Sequence, residues 1–133
     1  MPTILEAVGD YLQAQDHGTL GASIFLSMMP ETPDTLISVY ENAGDAPMFT
    51  MGAAAWAIDR PTLQVICRAT RGDYPTARDK AETIRALLGA VTEQTLSGIN
   101  VMRISPQGSV IPMGEDENLR PMVSANYECM IRP

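Results

Sequence analysis

Hydrophobic positions near the start of the chain, Ile4, Leu5, Val8, Tyr11 and Leu12, fall at the spacing of one helix face. Thr3 precedes them and Glu6 follows three residues later, a capping box in which each side chain satisfies an orphan N–H at the helix start. Gly18, after Asp16-His17, is a natural stop. The spacing predicts a helix over about Ile4 to Gln15. Ile24, Phe25 and Leu26 mark Gly21 to Ser27 as a short strand or extended segment, and Pro30 and Pro33 bracket a turn. Leu36 to Glu41 reads as the next strand.

From Asn42 to Arg60 the chain shows neither period. A structureless loop this long in a compact domain is usually functional or mobile. Alternation resumes after Pro61, with Leu63, Val65 and Cys67 on one face and Gln64, Ile66 and Arg68 on the other. The turn Thr70-Arg71-Gly72-Asp73-Tyr74-Pro75 leads into an amphipathic segment from Thr76. Asp73 or Tyr74 serves as its cap, and Pro75 sits in the first turn, where a missing N–H costs nothing. Ala77, Ala81, Ile84, Leu88 and Val91 form its apolar stripe. Arg78 and Glu82 are four apart on the other face and can pair, worth about 0.2–0.5 kcal/mol.

Ile99 to Ser105 and Ser109 to Met113 flank Pro106-Gln107-Gly108, which reads as a hairpin turn. Val123, Ala125, Tyr127, Cys129 and Ile131 alternate with Ser124, Asn126, Glu128 and Met130, the clearest strand in the chain. Two helices and about five strands, with the late strands in series, imply an α+β fold. Its expected form is a mixed or antiparallel sheet with the helices packed on one face.

A length of 133 residues predicts one domain with a sizeable core. The hydrophobic share of 45% against 19% charged is that of a folded chain rather than a disordered one. Nine Lys and Arg against 16 Asp and Glu leave a net charge of −7, which disfavours non-specific gripping of nucleic acid or anionic membrane. The chain start, with Glu6 and Asp10 and no basic opening, does not read as a signal peptide. The apolar window Ala46 to Ile58 is too short for a bilayer. Cys67 and Cys129 fall on strand faces that read as buried; they fit reduced core cysteines, and a disulfide stays open.

Catalysis needs a positioned nucleophile, base or metal. The single histidine, His17, lies in a polar turn, and none of the common zinc-protease, hydrolase or phosphate-loop motifs occurs. The expectation is a non-enzyme without cofactor or metal. Glu115-Asp116-Glu117-Asn118 is a dense acidic run, but its spacing fits no EF-hand and a solvated turn accounts for it. Nine methionines are many. Met48 and Met51, with Phe49 and Trp56, give Pro47 to Ile58 the makings of an apolar association patch, or of core cover.

The order of these segments resembles that of the phage "minor capsid" and tail-terminator (tail-completion) families of long-tailed phages and phage-derived particles. The matching positions are Pro61, Val65, Arg68, Asp73, Tyr74, Ala77, Arg78 and Ala81. Upstream, Met29-Pro30-x-x-Pro33-Asp34 leads into Ile37-Ser38-Val39-Tyr40-Glu41 and Gly44; downstream, Gly114-x-Asp116-Glu117-x-x-Arg120-Pro121 precedes the last strand. The likeness spans roughly Gly21 to Ile131, and the chain departs from the pattern between Ala43 and Ile58.

The resemblance implies a structural virion protein, assembled in the host cytoplasm. It would form a ring, commonly a hexamer, on the head-proximal end of the tail tube, stop tube growth and dock the head connector. Its partners would be itself, the tail tube protein and the connector, with DNA passing only as cargo and no membrane. Arg68, Arg71, Tyr74, Arg78, Met48, Met51, Trp56, Asp116 and Arg120 are the candidate interface residues. Asp116 and Arg120 are expected to fix their turn or to meet a neighbouring subunit. The alternatives are a head-completion (neck) protein joining head to tail, and a small-molecule-binding regulatory domain.

Overall fold

A computed structural model describes residues 3–49, 51 and 56–132. Helix α1 spans Ile4–Ala14, with the Thr3 hydroxyl accepting from the Glu6 N–H at 3.2 Å, as the capping pattern requires. Strands β1 (Ile24–Leu26), β2 (Leu36–Phe49) and β3 (Trp56–Arg68) precede helix α2 (Tyr74–Gly89). Strands β4 (Thr92–Leu96), β5 (Ile99–Pro106), β6 (Ile111–Glu115) and β7 (Pro121–Arg132) follow it. The fold is α+β with a curled mixed sheet, as expected, but of seven strands rather than about five. Its order is β1-β2-β3-β7-β5-β4, with β6 paired to β7. Among the strand pairs of the described residues only β1–β2 is parallel.

One face of the sheet carries the core. Leu63, Val65 and Cys67 of β3 stand opposite Tyr127, Ala125 and Val123 of β7, and all six are buried. The predicted stripe of α2 (Ala77, Ala81, Ile84, Leu88), with Val91 beyond it, closes over them. Helix α2 packs on β7, β5 and β3, while α1 touches β1 and β2 on one side and β4 on the other. The sheet therefore curls until elements from its two ends meet the same helix. Cys67 and Cys129 are free, buried thiols. Among the described residues no helix is long and apolar enough to cross a membrane.

Two expectations are corrected. Pro106-Gln107-Gly108 is not a hairpin turn, because β5 and β6 do not pair with each other. They lie end to end along one edge of β7, β5 from Asn100↔Arg132 to Pro106↔Tyr127 and β6 from Ile111↔Ser124 to Glu115↔Pro121. The Gln107 N–H goes instead to the Asn126 carbonyl at 2.8 Å, and the Arg85 guanidinium of α2 donates to the Gly108 carbonyl at 3.0 Å.

The second correction concerns Asn42 to Arg60. Apart from the tip, it is the outer half of a long β2–β3 hairpin. Two register shifts, between Asn42 and Asp45 and between Asp45 and Met48, give β2 extra residues against β3. The first lies where Pro61 occupies β3, a residue that cannot donate to the ladder and is tolerated at bulges. Gly44 is required there, since a Cβ would lie 1.7 Å from the Arg60 carbonyl oxygen. Across the hairpin Arg60 donates to the Ala46 carbonyl through Nε (3.0 Å) and Nη2 (2.7 Å). The pairing of β3 with β7 ends at Asp59↔Ile131. Beyond it, Met48↔Ile58 and Phe49↔Trp56 belong to a two-stranded projection among the described residues.

Candidate assembly surfaces

The end of the sheet away from the hairpin tip is held by two arginines. Arg68, the last residue of β3, points to the face opposite the core, with Ile66 and Gln64. The loop from Met28 to Asp34 folds over that face, anchored where the Ser38 hydroxyl donates to the Met28 carbonyl at 2.8 Å. Arg68 is only 3% exposed, so every donor must find a partner inside. Its Nη2 donates to the carbonyls of Pro30 (2.8 Å), Glu31 (3.3 Å) and Pro33 (2.7 Å), and its Nε to that of Asp34 (3.0 Å). The Asp116 carboxylate lies 3.9 Å from Nη1. Burial, then the neighbouring Arg120 charge, pull the Arg68 pKa down, yet a guanidinium stays charged in proteins.

Arg120 completes the corner at 4% exposure. Its Nε donates to Asp116 at 2.8 Å, Nη1 to Asp34 at 3.1 Å and to the Glu31 carbonyl, and Nη2 to the Glu31 carboxylate at 3.2 Å. Asp116 in turn accepts from the N–H groups of Asn118 (3.0 Å) and Arg120 (2.9 Å). This is an Asx-type turn that fixes the β6–β7 connection. Burial opposes ionisation of Asp116, but the hydrogen bonds from Arg120 and Asn118 outweigh it and hold the carboxyl below its ordinary pKa. Three of the sequence candidates, Arg68, Asp116 and Arg120, thus meet in one corner, with their charges engaged within the subunit. Glu31 and Asp34 were missed as its members. The signal lay in Pro30-x-x-Pro33-Asp34, a segment that reads as a turn and as part of the family pattern but names no partner for Arg120.

Beside this corner lies a groove of about 270 Å³ lined by Gly72, Tyr74, Pro112, Gly114, Glu115 and Pro121. Gly72 and Gly114 have positive φ (78° and 82°), a conformation natural to glycine. Tyr74 opens α2. Next to it Arg78 reaches the Tyr74 hydroxyl at 3.4 Å and Glu82 at 3.5 Å, both from partly exposed positions. Arg71 is exposed in the preceding turn. The floor of the groove was not foreseen, because β6 (Ile-Pro-Met-Gly-Glu) has no core-facing residue. All five of its residues are exposed, and Ile111 and Met113 stand out as large apolar side chains in solvent.

The remaining candidates sit at the opposite end. Met48 on β2 and Met51 beyond it are exposed, Met51 completely. Trp56 begins β3, opposite Phe49; its side chain lies outside the described residues. The structure therefore sorts the predicted set into a buried corner, an adjacent groove rim (Arg71, Tyr74, Arg78), and a distant hairpin (Met48, Met51).

No curated protein matches the chain significantly. The family model described as "Bacteriophage tail terminator protein" matches residues 11–132, which takes in every strand, all of α2, and both surfaces. The chain belongs to the bacteriophage tail terminator family, structural proteins of the phage tail.

Proposed function

We propose that this subunit closes into a ring on the head-proximal end of the tail tube. There it ends tube polymerisation and gives the head connector a surface to dock on. Family membership over residues 11–132 is the observation that carries this reading. The arrangement of the surfaces supports it. A cyclic ring needs two different patches per subunit, placed so that a head-to-tail contact closes. The hairpin and the groove are two unlike exposed patches at opposite ends of one sheet. Arg71, Tyr74, Arg78, Met48 and Met51 serve as contact residues in this account. Arg68, Asp116 and Arg120 serve it indirectly, by holding the corner from which β6 and the groove are built.

Termination is then geometric. The last ring of the tube has an unfilled subunit-binding face, which the terminator ring covers without offering another like it. The net charge of −7 suits a ring through which DNA passes without adhering. The test is electron microscopy of particles made with the gene disrupted. Tubes of excessive, uncontrolled length without heads are expected. Tubes of normal length would reject termination, and complete but unjoined heads and tails would identify a joining factor instead.

A further inference from the structure

The chain has a single histidine and a single lysine, and the fold brings them together. His17, in the turn after α1, and Lys80, on α2, line one cavity of about 130 Å³ beside the ends of β2 and β3. Ser23 of the same turn, Thr35 at the entry to β2, and Thr76, four residues before Lys80 on α2, complete its polar lining. Arg68 also borders it, but its guanidinium is committed to the carbonyls of the 28–34 loop.

Each of the other five side chains can donate a hydrogen bond. Among the described residues Lys80 makes no ion pair, and His17, Thr35 and Thr76 make no side-chain hydrogen bond. The Ser23 hydroxyl accepts from the Thr19 N–H at 2.9 Å, which leaves its own proton to donate. The chain holds 16 Asp and Glu, yet among the described residues no carboxylate lines this cavity. Asp16 and Asp79, the chain neighbours of His17 and Lys80, are exposed and lie outside the lining.

The turn is fixed by its own bonds. The His17 N–H donates to the Leu12 carbonyl at 3.0 Å, and the Leu20 N–H to Oε1 of Gln13 at 2.8 Å. Gly18 passes so close to Ser23 that a Cβ would lie 2.5 Å from the hydroxyl oxygen. Burial, then the Lys80 ammonium, lower the His17 pKa, and Asp16 acts against them.

We propose that this cavity binds a small tetrahedral oxyanion of the phosphate class. The ammonium of Lys80 supplies the counter-charge, and the hydroxyls and the imidazole meet the oxygens. Four oxygens match five converging donors better than the two of a carboxylate. The net charge of −7 favours a free ion over the backbone of a nucleic acid. Bound there, the ion ties the turn after α1 to α2.

The test is a proton NMR titration of the intact protein, in which His17 gives the single imidazole signal. It is run in chloride, in inorganic phosphate and in sulfate at equal ionic strength. An anion beside the imidazole favours its charged form, so the His17 pKa should rise by about one unit in phosphate and in sulfate relative to chloride. Lys80→Gln should raise the His17 pKa in chloride, because the repelling ammonium is gone. It should also raise the phosphate concentration that gives half the response by roughly tenfold or more. Thr76→Val, which keeps every charge, should raise that concentration several-fold. Equal pKa values in the three salts would overturn the site. So would a phosphate response unchanged in both variants, or a response to a short single-stranded DNA without one to free phosphate.

Discussion

Arg120 and Arg68 are anchors whose donors are consumed inside the subunit, and Asp116 is the group on which their corner turns. Its carboxylate accepts two backbone N–H groups and the Nε of Arg120, so its folded pKa lies below the unfolded value near 3.9. A depressed carboxyl contributes stability that is fully present above the unfolded pKa and is lost as pH falls through the folded one. Acid unfolding of the wild type should therefore steepen below about pH 4. Asp116→Asn should be less stable at neutral pH and should lack this part of the acid dependence, as read by denaturant titrations between pH 2 and 7. Parallel acid profiles would contradict the role given to Asp116. A second residue makes the opposite kind of prediction. The Tyr127 hydroxyl is buried without a hydrogen-bond partner among the described residues, and burial, then the nearby Cys67, raise its pKa. A buried hydroxyl left unpaired costs on the order of 1–3 kcal/mol. Tyr127→Phe should thus be neutral or gain about 1 kcal/mol in equilibrium unfolding; a loss of that size would mean the hydroxyl has a partner in solution.

Among the elements, the hairpin depends most on a single position. Gly44 faces the Arg60 carbonyl so closely that no Cβ fits, and it sits at the bulge that accommodates Pro61. Gly44→Ala should cost about 1–3 kcal/mol, the range for overpacking, with the damage confined to the outer hairpin. Hydrogen exchange should show lost amide protection beyond Asn42 and Thr62, while Val65 and Ala125 stay protected. Uniform loss of protection would mean that the hairpin and the core fold as one unit. The same bulges explain why this element was not legible in the sequence. Each extra residue shifts the side-chain alternation by one, which breaks the period of two along Asn42 to Arg60. The β3 and β7 alternations and the α2 stripe were legible because each presses one face on the core. Strand β6 was recognised as extended but placed beside the wrong neighbour, since pairing along β7 is set by Arg85, Gln107 and the Asp116 turn rather than by the residues of β6. The arginine corner was half legible. Arg68, Asp116 and Arg120 were singled out, but the partners of Arg68 are backbone carbonyls of residues 30–34, whose side chains say nothing of that contact.

At the scale of the molecule, the subunit is a curled sheet with a projecting acidic, methionine-bearing ribbon at one end and a stapled, arginine-flanked groove at the other. Such polarity suits repetition around an axis. Six copies of a 14.4 kDa chain would form a ring of about 86 kDa, and the tube end is the surface on which that ring is expected to assemble. The most direct test is to add the purified protein to its tail tube protein during polymerisation and measure tube lengths by electron microscopy. Mean length should fall as the protein is added, with one extra ring of density at a single end of each tube. Unchanged lengths, with bare ends at saturating protein, would contradict it.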